Sequence, residues 1–267
     1  PSPVNPPKGC PFHPRCPKAK DICKIEVPKL RKYTTNGNEH YASCHLIDLP
    51  ERNWMSKFEH KNLNGVMPAM ITSFNKDESI NKEGLRKIIN HLIAEKVSGL
   101  YVTGSTGETF LMSPEEKKKV IDIIVEEVNG RVPVIAHVGS IGTKITADLA
   151  DYATKAGVDG LSALPPFYYN FTNEEIFNYY SDIAQSSHLP IIIYNIDRAN
   201  LMDIETLKKL AAIENIKGVK YTAATHFNFE VIKKDIGNDF KIYNGMDQMA
   251  ISGLISGADG LIGSFYN

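Results

Sequence analysis

A lysine stands inside a strand-like run at Val219-Lys220-Tyr221. Burying an ammonium is costly, so a lysine held among apolar neighbours sheds its proton more readily and becomes a nucleophilic amine. Such an amine is suited to forming a Schiff base with a carbonyl compound. The alternative is a Lys220 that points outward and carries its charge to solvent along its alkyl stem, a role better suited to Lys217. Two further features share this character. The turn Thr103-Gly104-Ser105-Thr106-Gly107-Glu108 is able to offer backbone amides and two hydroxyls to a carboxylate, although a plain tight turn has the same composition. Tyr194 is able to relay a proton, or to pack as an aromatic with its hydroxyl at the rim.

The other reactive side chains are cysteines. Cys10, Cys16, Cys23 and Cys44 are the chain's four, with gaps of five, six and twenty residues between them. These gaps exceed the usual two-to-four spacing of a zinc knuckle, yet four clustered thiols suggest a metal. Disulfides, disfavoured in a reducing compartment, and thiols without any ligand are the competing readings.

The elements that must position Lys220 follow a repeated pattern. Short β-branched runs bounded by turn residues occur at Val66–Ser73, Leu100–Thr103, Val132–Val138, Leu161–Leu164, Ile191–Asn195, Gly218–Thr222, Lys241–Asn244 and Gly260–Ser264, eight strand candidates in all. Between them seven amphipathic helices can be placed, one with the apolar stripe Leu85, Ile88, Ile89, Leu92 and Ile93. Ser113-Pro114-Glu115-Glu116 and Thr172-Asn173-Glu174-Glu175 predict capping boxes. The returns Ser98-Gly99-Leu100, Asp159-Gly160-Leu161 and Asp259-Gly260-Leu261 predict glycines in the left-handed conformation that ends a helix. Eight such units argue for a (β/α)8 barrel over an open doubly wound sheet, with the active site at the C-terminal strand ends. The chain stops at Asn267, so the pattern lacks its last helix; an incomplete reading frame with an exposed apolar barrel face and low solubility is the expectation.

Composition bounds the function class. With 267 residues, 42% hydrophobic content and a formal net charge of −1, the chain can bury a sizeable core and carries no global attraction for nucleic acid. No apolar run approaches the roughly 18 residues that span a bilayer, and no signal pattern opens the chain, so the expectation is a cytoplasmic protein without membrane insertion that acts on small molecules. The proline- and base-rich segment 1–49 differs from the alternating segment 65–267, with 50–64 as linker or native start region. The start-like Met55-Ser56-Lys57 follows Trp54, the only tryptophan.

Segment 65–267 resembles the N-acetylneuraminate lyase and dihydrodipicolinate synthase superfamily. The resemblance is carried by Gly104-Ser105-Thr106-Gly107-Glu108, Leu164-Pro165-Pro166-Phe167-Tyr168-Tyr169, Tyr194-Asn195-Ile196, Gly218-Val219-Lys220, Tyr243-Asn244-Gly245-Met246-Asp247 and Gly257-Ala258-Asp259-Gly260 running into Gly263-Ser264-Phe265-Tyr266-Asn267. It implies that Lys220 attacks the C2 carbonyl of open-chain sialic acid, and that Tyr194 with Ser105 shuttles the proton released as the C3–C4 bond breaks. Ser105 and Thr106 would bind the pyruvyl carboxylate, and Thr222, Gly245, Asp247, Gln248 and Ser264 the hydroxylated tail. Tyr168 or Tyr169 would extend the relay across a subunit contact of a homotetramer. No metal or organic cofactor is implied for the aldolase. Ser105 before Thr106, the Tyr168-Tyr169-Asn170-Phe171 loop and Ala199 in place of the synthase arginine favour the lyase branch, giving pyruvate and N-acetylmannosamine. Gln248 in place of a glutamate, the departure Asp197-Arg198-Ala199-Asn200, and Arg198 one position from the synthase arginine keep the synthase, or another pyruvate-dependent aldolase of the superfamily, as the alternative.

Segment 1–49 resembles the C-terminal extension of oligopeptide and dipeptide ABC-transporter ATPases, from its Asn5-Pro6-Pro7 lead-in to Cys44-His45-Leu46. That resemblance implies a 4Fe–4S cluster on Cys10, Cys16, Cys23 and Cys44. No Gly-x-x-x-x-Gly-Lys-Ser/Thr phosphate loop occurs in the given sequence, and neighbouring uptake and catabolic genes joined by readthrough or by an assembly error are the expected origin. The competing reading from another class is a metal-binding transporter module with an inert barrel fragment attached.

Overall fold

The computed structural model of the protein describes residues 8–11, 13–16, 19–28, 30–35, 38–44, 63–199 and 201–267. Asn5-Pro6-Pro7, His45-Leu46, Trp54, Met55-Ser56-Lys57 and Asn200 lie outside them. Two compact units are present, Pro1–Trp54 and Met55–Asn267. In the first, helix α1 (Asp21–Ile25) is followed by strands β1 (Leu30–Thr35) and β2 (Asn38–Ser43), which pair antiparallel with Leu30 opposite Ser43.

The second unit is a nearly closed barrel. Its strands are β3 (Gly65–Pro68), β4 (Leu100–Val102), β5 (Val134–His137), β6 (Gly160–Ala163), β7 (Ile191–Ile196), β8 (Ile216–Thr222), β9 (Lys241–Asn244) and β10 (Gly260–Gly263). They form one parallel sheet in the order β3-β10-β9-β8-β7-β6-β5-β4, and a parallel bridge between Ala69 and Tyr101 brings its two edges together. All eight expected strands are present. The first is shorter than the run Val66–Ser73, because the Ile71 amide donates to the Asn267 side chain at 3.1 Å instead of to a neighbouring strand.

Helices α2 (Lys82–Ala94), α3 (Pro114–Val128), α4 (Thr143–Ala156), α5 (Asn173–Gln185), α6 (Ile204–Ala211), α7 (Phe227–Asp235) and α8 (Ala250–Ile255) cover the sheet. The stripe on α2 buries Leu85, Ile89 and Leu92, with Ile88 and Ile93 partly covered. Both capping boxes form: Ser113 and Thr172 accept from the amides of Glu116 and Glu175, whose carboxylates return to the cap amides at 2.8 Å. Ser113→Ala is expected to cost about 1 kcal/mol and to lower the melting temperature by about 2–4 °C, measured by thermal unfolding. An unchanged melt would mean that the cap contributes nothing. Around α8, the apolar side chains of Ile251, Leu254 and Ile255 are exposed.

The helix-to-strand returns differ from expectation in one respect. The left-handed residues are Lys96 (φ 61°), Gly157 (φ 93°) and Gly257 (φ 98°), each three positions before the glycine singled out from sequence. Gly99 and Gly260 answer a different demand. A Cβ on Gly260 would lie 2.6 Å from the Gly65 carbonyl of β3, which leaves no room for a side chain, and one on Gly99 would crowd the Pro133 carbonyl, just before β5, at 3.0 Å.

Inside the barrel, side chains from alternate strands stack in layers. Met67, Ile135, Ile192 and Tyr243, from β3, β5, β7 and β9, belong to one buried cluster. The next layer up comes from β4, β6, β8 and β10. There Tyr101, Ser162, Lys220 and Ile262 are all buried, and the Tyr101 hydroxyl donates to Ser162 at 3.1 Å. Above them, at the C-terminal rim, stand His137 and Tyr194.

Candidate active site

Lys220 points inward. Its β8 neighbours Val219 and Tyr221 join the cluster between sheet and helices, so the alternation of the strand sends Lys220 to the barrel interior, where it is 5% exposed. The outward alternative is thereby excluded. Nζ lies 4.2 Å from the centre of the Tyr194 ring and 4.5 Å from that of Tyr101. Strand register explains the first contact, since Tyr194 on β7 is the direct partner of Lys220 on β8. Burial pulls the Lys220 pKa below that of an ordinary lysine, while Tyr194 and Asp247 work in the opposite direction by favouring the ammonium.

The tail of β8 and the loop after β9 are held within van der Waals reach. A Cβ on Gly245 would collide with Thr222 Oγ1 and stand 3.2 Å from Lys220 Cε. Asp247 accepts the amides of Ser264 and Phe265 on Oδ2, at 2.9 and 3.1 Å, which ties the loop after β9 to the one after β10. Its Oδ1, Thr222 Oγ1 and the Tyr266 hydroxyl are buried without a hydrogen-bond partner among the described residues. Such orphaned polar atoms at the rim suit a hydroxylated ligand, which would satisfy them. Gln248 lies on the adjoining 3-10 turn Asp247–Met249 and is exposed.

The turn after β4 faces this group. Thr103 and Glu108 hold left-handed backbone, at φ 53° and 61°, and the Glu108 and Thr109 amides close the turn on the carbonyls of Ser105 and Gly104. Thr106 Oγ1 is 2.7 Å from Ser264 Oγ, so the turn after β4 and the loop after β10 meet across the rim, and Ser105 is exposed beside them. Non-glycine residues in sparsely populated backbone regions are costly and gather where a site needs them.

Tyr168 and Tyr169 stand apart from this centre. They are 88% and 69% exposed, their rings pack edge-to-face at 5.0 Å, and Tyr168 has left-handed backbone at φ 84°. The cysteines belong to the first unit. All four are thiols, with Cys10 and Cys23 buried, and the Cys23 sulfur accepts the Lys20 amide at 3.4 Å. Among the described residues no three His, Cys, Asp or Glu side chains gather to hold a metal ion.

Sequence reasoning missed two aromatic neighbours of Lys220 and Tyr194. Tyr101, whose pKa burial pushes well up, forms the floor under Nζ. His137 packs edge-on against Tyr194, with ring centres 6.0 Å apart. Burial, and after it the charges of Lys117 and Lys220, push the pKa of this imidazole down to about 3. A polar ring inside the run Val132–Val138 was the available signal, the same kind of anomaly that singled out Lys220.

Residues 62–267 match the model of the dihydrodipicolinate synthetase family. An N-acetylneuraminate lyase of Clostridium perfringens is 42% identical over 208 residues, covering 77% of this chain and 72% of that protein. Among solved structures, N-acetylneuraminate lyase from Mycoplasma synoviae superposes with a TM-score of 0.72 at 37% identity, over 77% of this chain and 70% of its own. A dihydrodipicolinate synthase from Bacillus anthracis superposes with a TM-score of 0.73 at 31% identity, over 75% and 69%.

Proposed function

The chain belongs to the dihydrodipicolinate synthetase family, and from that membership and the buried lysine we propose that it cleaves N-acetylneuraminate to pyruvate and N-acetylmannosamine through a Schiff base on Lys220. It is a class I pyruvate aldolase, a carbon–carbon lyase. The observation that carries the assignment of residues is Lys220 Nζ, buried in the barrel mouth beside Tyr194 with its pKa lowered.

The chemistry follows from that placement. The neutral amine of Lys220 adds to the C2 carbonyl of the open-chain sugar acid, and loss of water leaves a protonated imine. Tyr194 takes the proton of the C4 hydroxyl as the C3–C4 bond breaks, and the bonding pair flows into the imine to give an enamine. N-acetylmannosamine leaves as the aldehyde. Protonation at C3 and hydrolysis return pyruvate and the free amine. Ser105 and Thr106 take the carboxylate, a reading supported by the turn after β4 meeting the loop after β10 through Thr106 and Ser264, and Ser105 assists the relay. Thr222, Gly245, Asp247, Gln248 and Ser264 receive the hydroxylated tail, a reading supported by the orphaned oxygens of Thr222 and Asp247.

Assembly into a homotetramer, with Tyr168 or Tyr169 reaching a neighbouring subunit, belongs to the same proposal and is supported by their exposure. A cytoplasmic site of action suits four cysteines kept as thiols. For residues 1–49 we keep the resemblance to the transporter-ATPase extension as the proposed origin, with Cys10, Cys16, Cys23 and Cys44 as the proposed ligands of a 4Fe–4S cluster.

Two assays on the purified chain decide the branch: cleavage of N-acetylneuraminate, and condensation of pyruvate with aspartate semialdehyde. Cleavage is the expected activity. Condensation alone would overturn the lyase reading in favour of the synthase, and neither activity would remove both.

A further inference from the structure

His137 is used by none of the steps above, yet it is 1% exposed and stands in the layer of Tyr194. Its Nε2 lies 3.3 Å from the Leu164 amide, which can only donate, so Nε2 is an acceptor and the ring proton sits on Nδ1. Nδ1 is buried without a partner among the described residues. The ring packs edge-on against Tyr194 at an interplanar angle of 87°, tilted against Tyr101, and edge-on against Phe110.

Three contacts tie His137 and Tyr194 to the loops around them. Thr103 Oγ1 donates to the His137 carbonyl at 2.9 Å, which ties the turn after β4 to the end of β5. A Cβ on Gly139 would lie 2.9 Å from Nε2 and 3.0 Å from the Leu164 nitrogen, so the residue two places on must be bare for the ring to reach that amide. Leu164 in turn packs its side chain on Tyr194, in the small cluster they share with Ala199. The imidazole therefore touches Tyr194 directly and also holds the loop that covers it.

We propose that His137 is a positioning residue, a neutral imidazole that fixes the Tyr194 ring and the Leu164–Tyr169 loop so that the Tyr194 hydroxyl is correctly placed over the lysine imine. The charged and titratable groups acting on the ring are Lys117, Lys220, Tyr101 and Tyr194. Both lysines disfavour a second positive charge, and with burial they keep the ring neutral across the working range. A neutral ring holds its geometry through every protonation change at Lys220 and takes no part in proton transfer. A rigid wedge of this kind matters because small misplacements of a reacting group cost large factors in rate.

The inference rests on the Schiff-base reading, and the test keeps the two apart. Imine formation, read as borohydride-trapped pyruvate at Lys220, needs the lysine; cleavage of the C3–C4 bond also needs Tyr194 in place. His137→Leu removes the acceptor, whereas His137→Gln restores an acceptor at the position of Nε2. The expected result is trapping within about threefold of the parent in both variants, cleavage kcat lowered about 10²-fold in His137→Leu, and recovery to within about fivefold in His137→Gln with an unmoved pH profile. Isotope-labelled histidine rings provide a second readout on the unaltered protein, in which one imidazole stays neutral with Nδ1 protonated into mildly acid pH and is missing from His137→Gln. Trapping and cleavage falling in parallel would reduce His137 to a packing residue. A His137→Gln variant as slow as His137→Leu, or a ring titrating near 6.5, would make it a proton carrier, and either outcome overturns the proposal. Failure of the parent to trap pyruvate would bring down the Schiff-base reading, and this role with it.

Discussion

Replacing Lys220 by alanine is expected to abolish pyruvate trapping by borohydride and to lower sialic acid cleavage by about 10⁴-fold or more, as loss of a covalent nucleophile does. Mass spectrometry of the trapped chain reads the first, with the adduct expected on the peptide that holds Lys220 and on none holding Lys217. An adduct that persists in Lys220→Ala would mean that another amine is the nucleophile. The same residue predicts an effect on stability. Its pKa is lowered in the fold, so the unfolded chain binds more protons between that lowered value and the ordinary lysine value of 10.5. Stability therefore rises with pH across that window, and below it the wild type carries the full cost of a buried ammonium. Lys220→Met removes the charge at similar volume and is expected to melt higher than the parent at neutral pH. The difference should disappear as pH rises past 10.5. A variant less stable than the parent at neutral pH would show that Lys220 is stabilised by its neighbours more than it is penalised by burial.

Tyr194→Phe is the second large effect, and it separates chemistry from architecture. The Tyr194 ring packs edge-on against Tyr101 and His137 and shares a cluster with Leu164 and Ala199, so a phenyl ring retains the packing and loses only the hydroxyl. Removal of a positioned acid–base group costs about 10²- to 10⁴-fold. That loss is expected in the cleavage kcat, measured by pyruvate release, with pyruvate trapping at Lys220 largely retained. If trapping falls as far as cleavage, Tyr194 acts in forming the imine and not in breaking the carbon–carbon bond. A Tyr194→Phe enzyme within a few-fold of wild type would remove Tyr194 from the relay altogether.

Residues 1–49 and 65–267 raise separate questions, and the Lys220 and Tyr194 variants bear only on the second. Both altered positions lie in Met55–Asn267, and the four cysteines in Pro1–Trp54. An inert barrel fragment attached to a transporter module would yield no adduct at Lys220 to lose.

Much of the barrel was legible in the chain itself because its signals are local. A β-branched run of a few residues, a hydroxyl three places before a glutamate and an apolar stripe at helical spacing each act within one turn or one strand. The eight strands and the boxes at Ser113 and Thr172 follow from them. Lys220 was legible for a related reason, since an ammonium in an apolar strand costs energy wherever the strand lies. What no local pattern specifies is which side chains meet across the barrel. The register that pairs Tyr194 with Lys220, and the layering that puts Tyr101 beneath its ammonium and His137 beside Tyr194, depend on how strands distant in sequence are offset in the closed sheet. The same holds for Gly99 and Gly260, whose sequence setting suggested a left-handed cap. Their actual constraint is a backbone carbonyl distant in the chain, and only the packed sheet brings it there. The sequence by itself determined the repeating elements and the reactive amine; the tertiary structure decided which groups surround that amine, because contacts between residues far apart in the chain exist only once the barrel closes.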